Sequence, residues 1–127
     1  MEQARFEDLK GKTLTRIDVD KTGYDHQIDF FTEDGLHYVM RHYQDCCESV
    51  TIEDICGELA HLLNEPILLA EEVTKDEPDS EWGDIAMWTF YKLSTNRGSV
   101  TIRWHGSSNG YYSVGVSFYE GNSREEE

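Results

Sequence analysis

Short alternations of apolar and polar residues run through most of the chain, the spacing of strands with one buried face. Residues 13–20 alternate imperfectly and stop before Gly23. Residues 27–32 and 36–43 flank Glu33-Asp34-Gly35, and Asp-Gly admits the positive φ that a tight hairpin needs. The period then changes. Ile52, Ile55, Cys56, Leu59, Leu62 and Leu63 recur at helical spacing and predict a helix over 52–63, with Thr51 and Asp54 as a weak capping pair and Asn64 and Pro66 as its end. A strand is expected over 67–73 and an exposed acidic loop over 74–84, TKDEPDSEWGD. Residues 85–95 and 99–104 read as strands joined by Asn96-Arg97-Gly98, and a second tight connection at 106–110 leads into a strand over 111–119. Residues 1–10 read as a short helical or irregular lead-in outside the core, and 120–127 as an acidic tail.

The order β-β-β-α-β-β-β-β predicts the α+β class: an antiparallel sheet of six to seven strands packed by one main helix. With 127 residues the chain suits one domain, with its core within about 11–119.

Charge narrows the function classes. Lys and Arg number 11 against 26 Asp and Glu, a net −15. Phosphate neutralisation needs a basic face and anionic membranes repel acid, so neither nucleic acid nor membrane is an expected partner. A basic partner is. Aromatics at 12% exceed what a disordered acidic chain carries. With no long apolar run or leader-like start, the expectation is a cytoplasmic protein. Three cysteines are too few for a secreted framework and are read as reduced thiols.

Three groups could carry chemistry. His42, Cys46 and Cys47, with Asp45, are metal-ligand types, yet adjacent cysteines chelate one tetrahedral ion badly and no second pair completes a set, so neither metal nor cofactor is expected. As thiol nucleophiles the two cysteines are opposed by flanking Asp45 and Glu48, so no enzyme is expected. The second group, Arg103, Trp104, Asn109 and Tyr111, reads first as a hairpin. Joined to His42, Cys46 and Cys47, it makes an alternative pocket for a planar anionic ligand such as a nucleotide signal. Trp88 is expected in the core. Third are the acids Asp45, Glu48, Asp76, Glu77, Asp79, Glu81 and Asp84, which could fill a basic groove built for phosphates.

The segments H-Y-Q-D-C-C-E-S-V (42–50), I-E-D-I-C-G-E-L (52–59), P-I-L-L-A-E-E-V-T (66–74), W-T-F-Y-K-L-S-T (88–95) and T-I-R-W-H-G-S-S-N-G-Y-Y-S (101–113) together resemble a family of small, mostly uncharacterised bacteriophage and prophage proteins, over about 11–119. The acidic middle loop and the final stretch from Val114 depart from that pattern. The resemblance implies a phage accessory product and brings no activity with it. Joined to the charge, it gives the expectation of a counter-defence inhibitor, anti-CRISPR-like, that binds a nuclease or other basic nucleic-acid-binding host effector by mimicry. A ligand-sequestering module and a metal- or thiol-dependent protein are the alternatives.

Overall fold

The computed structural model describes residues 2–23, 25–44, 47–78, 85–108 and 114–122. Nine strands run through them: β1 (Glu2–Gln3), β2 (Leu14–Asp20), β3 (Gln27–Thr32), β4 (Leu36–Arg41), β5 (Ser49–Cys56), β6 (Leu69–Pro78), β7 (Ile85–Thr95), β8 (Gly98–Ser108) and β9 (Ser117–Asn122). Five form a sheet of order β1-β9-β4-β3-β2 and four a sheet of order β5-β8-β7-β6, with all strand pairs antiparallel. The inward residues of both sheets join one apolar cluster: Ile28, Phe30, Tyr38, Met40 and Phe118 from the first, Val50, Ile52, Tyr91, Ile102 and Trp104 from the second. Period-two burial is cleanest on β8, where Val100, Ile102, Trp104, Gly106 and Ser108 are buried in turn.

The α+β expectation is therefore wrong. Among the described residues the helical segments are two short 3₁₀ turns, Phe6–Leu9 and Leu59–Leu62. Residues 52–63 imitate a helix because β5 slips register between Ile52 and Asp54. Ile52 pairs with Trp104 and Asp54 with Arg103, so Glu53 is an extra residue. The slip carries the next apolar residue from i+2 to i+3, and Ile52 and Ile55 both pack on the core. Gly57 then ends the strand at φ 112°, where a Cβ would lie 2.4 Å from the Ser99 carbonyl. Leu62 closes the run in the core and Cys56 is exposed.

Other boundaries differ too. The first half of the expected acidic loop, through Pro78, belongs to β6; residues 79–84 lie outside the described residues. Residues 114–116 are not strand, while Glu120 to Asn122 of the expected tail lie in β9. Nor is the start of the chain peripheral, since Phe6 is 2% and Leu9 0% exposed. Phe6 meets Tyr91 at 4.7 Å and Phe118 at 5.5 Å between ring centres, bridging the two sheets.

The β3–β4 hairpin is where the sequence places it. Gly35 adopts φ 86°, the Thr32 hydroxyl donates to Asp34, and Lys12 Nζ donates to Asp34 Oδ2 at 2.8 Å. The Lys12 hydrogen bond, seconded by Thr32, holds the Asp34 carboxyl below its ordinary 3.8.

Two outcomes follow. Phe6→Ala should lower stability by about 3–5 kcal/mol, read as a lower urea midpoint with unchanged slope. Because the Asp34 carboxyl sits lower in the folded than in the unfolded chain, its contribution is complete above about pH 4 and disappears as pH falls through the folded value. Asp34→Asn should thus flatten the loss of melting temperature in acid and leave any loss above pH 8 unchanged, as thermal melts across pH would show.

Candidate functional site

His42 directly follows β4 and is buried. Its Nδ1 is 2.7 Å from the Gly115 carbonyl oxygen and its Nε2 2.8 Å from Glu48 Oε2. A carbonyl oxygen only accepts, so Nδ1 carries a proton and donates. One further proton lies between Nε2 and the carboxyl group, either as imidazolium with carboxylate or as imidazole with carboxylic acid. In both forms the pair has no net charge, which is what a side chain as buried as that of Glu48, at 0% exposure, requires. The Gln44 amide donates to the Glu48 backbone oxygen at 2.5 Å and to its Oε1 at 3.3 Å. Outside the pair lies a cavity of about 490 Å³ lined by Asp25, Gln44, Cys47, Glu48, Ser49 and Val50, among others.

Glu48 is thus not one of the surface acids that its sequence context suggested. Cys47 is disulfide-bonded, against the expectation of reduced thiols, and Cys56 is the free cysteine among the described residues. No three His, Cys, Asp or Glu side chains among the described residues gather in a way that could hold a metal ion. Asp45, Cys46, Asp79, Glu81, Asp84, Asn109 and Tyr111 lie outside the described residues.

Arg103 and Trp104 were expected in one pocket, but consecutive residues of β8 face opposite ways. Trp104 is 1% exposed, and its indole N–H donates to Met40 Sδ at 3.2 Å, inside the core. Arg103 lies on the outer face, where Nε donates to Asp54 Oδ1 at 2.6 Å and Nη2 to Asp54 Oδ2. The alternative ligand pocket therefore cannot use both. Trp88, expected in the core, is half-buried on the same outer face as Arg103, with Phe90 and Lys92 beside it on β7.

Asp76 and Glu77 are exposed, on β6. Among the described residues that strand pairs with β7 and lies at the edge of the second sheet. It carries Glu71, Glu72, Asp76 and Glu77, all exposed, with Lys75 between. Glu7, in the 3₁₀ turn packed against β6, continues the charge, and Glu2 faces Glu120 across the β1–β9 ladder. Among the described residues none of these seven acids forms an ion pair with Lys or Arg. Their field reaches the core tyrosines. Burial, then Glu120, Asp8 and Asp34, pushes Tyr38 up to about 12, and burial, then Glu72 and Glu7, pushes Tyr91 up as well. The sequence marked Asp76 and Glu77 but not Glu7, which the packing of the 3₁₀ turn on β6 brings near them, nor Glu2 and Glu120, which the β1–β9 ladder sets against each other.

Among the described residues no helix is long and apolar enough to cross a membrane. Residues 7–118 match a domain of unknown function, DUF7448, and the chain belongs to that family. No curated protein and no solved structure matches it.

Removing either half of the buried pair takes one hydrogen-bond partner from the other. His42→Ala and Glu48→Ala should each cost about 3–5 kcal/mol of unfolding free energy. The double variant should cost less than the sum, as urea unfolding of all four proteins would show; additive costs would mean that the two groups do not interact.

Proposed function

We propose that the chain is a non-catalytic binding protein, a phage-encoded accessory inhibitor whose acidic rim occupies a cationic groove of a nuclease or other nucleic-acid-binding host protein. Action in the host cytoplasm is part of the same reading. The observation that carries it is the edge strand β6, where Glu71, Glu72, Asp76 and Glu77 stand exposed beside Glu7 without ion pairs to Lys or Arg among the described residues. Acids carried on one strand and the turn beside it repel one another and cost stability. A cationic partner turns that repulsion into attraction, steers the encounter, and makes binding sensitive to salt. Charge on an edge strand also keeps the chain from pairing with its own copies. No bond has to be made or broken.

The test is capture from bacterial lysate by the chain and by a variant with Glu71→Lys, Glu72→Lys, Asp76→Lys and Glu77→Lys, at low and high salt and with duplex DNA as competitor. The expected result is a captured nucleic-acid-binding protein that is lost in the variant, falls at least about tenfold as screening shortens from about 10 to 3 Å between 0.1 and 1 M salt, and is displaced by DNA. Capture that survives charge reversal or ignores DNA would refute the reading.

A further inference from the structure

The outer face of the second sheet joins aromatic rings to cationic side chains. Alternation along β7 places Trp88 and Phe90 there, and the register sets His105 and Arg103 opposite them on β8, with Lys75 and Val73 opposite on β6. The Trp88 and Phe90 rings lie within 10° of parallel, 6.0 Å apart. Three contacts hold the indole: its N–H donates to Glu77 Oε2 at 2.7 Å, the His105 ring centre lies 4.7 Å from its own, and the Arg103 guanidinium sits 5.4 Å from its centre. A groove of about 760 Å³ opens over Phe90, bounded by Val73, Lys75, Lys92, Thr101 and Arg103. Three of the chain's 11 Lys and Arg therefore meet at one half-buried aromatic ring. Lys75 and Lys92 are exposed, and neither forms an ion pair.

We propose that this groove binds a free nucleoside phosphate, with the base stacked on Phe90 beside Trp88 and the phosphates held by Lys75, Lys92 and Arg103. Aromatic faces stack any base, and the cations supply the charge that an anionic tail needs. The size of the ligand follows from the surrounding charge. Glu71 lies across from Lys92, Glu77 beside Trp88, and Asp54 against Arg103, so the positive patch ends within one strand of the ring on each side. One di- or triphosphate fits inside it. An extended single strand would have to lay its phosphates on carboxylates.

Isothermal titration of the full chain with ATP, GTP, CTP and UTP tests the proposal, with adenosine, inorganic tripolyphosphate and a single-stranded oligothymidylate as controls. All four nucleotides are expected to bind one to one with affinities within about tenfold of each other, because stacking tolerates any base. Each should bind at least about tenfold more tightly than adenosine or tripolyphosphate, since stacking and charge act together. Lys75→Glu with Lys92→Glu, both on exposed positions that leave the core untouched, should weaken ATP at least about tenfold. Phe90→Ala should do the same while leaving tripolyphosphate unchanged. Absence of nucleotide binding, tripolyphosphate as tight as ATP, oligothymidylate tighter than ATP, or undiminished binding by the lysine variant would each overturn the proposal.

Discussion

Trp104, Tyr91, Tyr38, Phe30 and Phe118 meet where the two sheets face each other, and Phe6 and Leu9 fill the gap between the sheet edges. Burial of each such side chain is worth about 1.5–3 kcal/mol, and among the described residues the buried side chains that helical segments contribute are Phe6, Leu9 and Leu62 of the two 3₁₀ turns. Every strand must therefore keep one parity of residues turned inward, and the chemistry of the outer surfaces follows from that requirement. Trp104 is committed to the core and so Arg103 is committed to the surface. Tyr91 and Leu93 point in; Trp88, Phe90 and Lys92 point out. The bulge at Glu53 is the place where parity is broken, and it lets Asp54 stand opposite Arg103 while Ile55 still reaches the core.

The same parity explains what could be read from the sequence. β2, β3, β4 and β7 are legible because alternation, Asp34-Gly35 and Asn96-Arg97-Gly98 agree with one another. β5 is not, because one inserted residue turns a period of two into a spacing of three and four, which is the signature of a helix. The β-branched Val50, Thr51, Ile52 and Ile55, with Gly57 inside the supposed helix, were the opposing signals. The second half of β6 is hidden for another reason: as an overhanging edge strand it is exposed on both faces from Thr74 to Glu77, so no apolar residue marks its period. Phe6 and Leu9 were too few to suggest a core element.

Of the candidate sites, the opposite facing of Arg103 and Trp104 was implicit in the strand expected over 99–104, and Lys92 marked the outward parity of Trp88 and Phe90. The pairing of His42 with Glu48 had no such signal. In a chain with 26 acids, one more carboxylate near a histidine is unremarkable until the backbone of Gly115, brought in from 73 residues away, fixes the imidazole from its other side. A contact made by tertiary closure leaves no period to detect.

The distribution of charge follows the same division of faces. Buried ionisable groups are neutralised locally, as His42 neutralises Glu48, because a lone carboxylate at full burial would cost more than the fold can bear. Exposed cations are drawn into pairs where the fold needs a fixed geometry: Lys12 pins the hairpin through Asp34, Arg16 clasps Asp18 at 2.5 Å, and Arg103 clasps Asp54. Lys75 and Lys92 are not used in this way, and they flank the groove over Phe90 instead. The acids of β6 divide along the strand. Glu71, Lys75 and Glu77 share the parity of Val73 on the outer face, whereas Glu72 and Asp76 turn to the opposite side and continue toward Glu7. One edge strand therefore presents two faces, Val73 and Lys75 bounded by Glu71 and Glu77 toward the aromatic groove, and Glu72 and Asp76 on the opposite side, with alternation along its residues setting which side chain meets which.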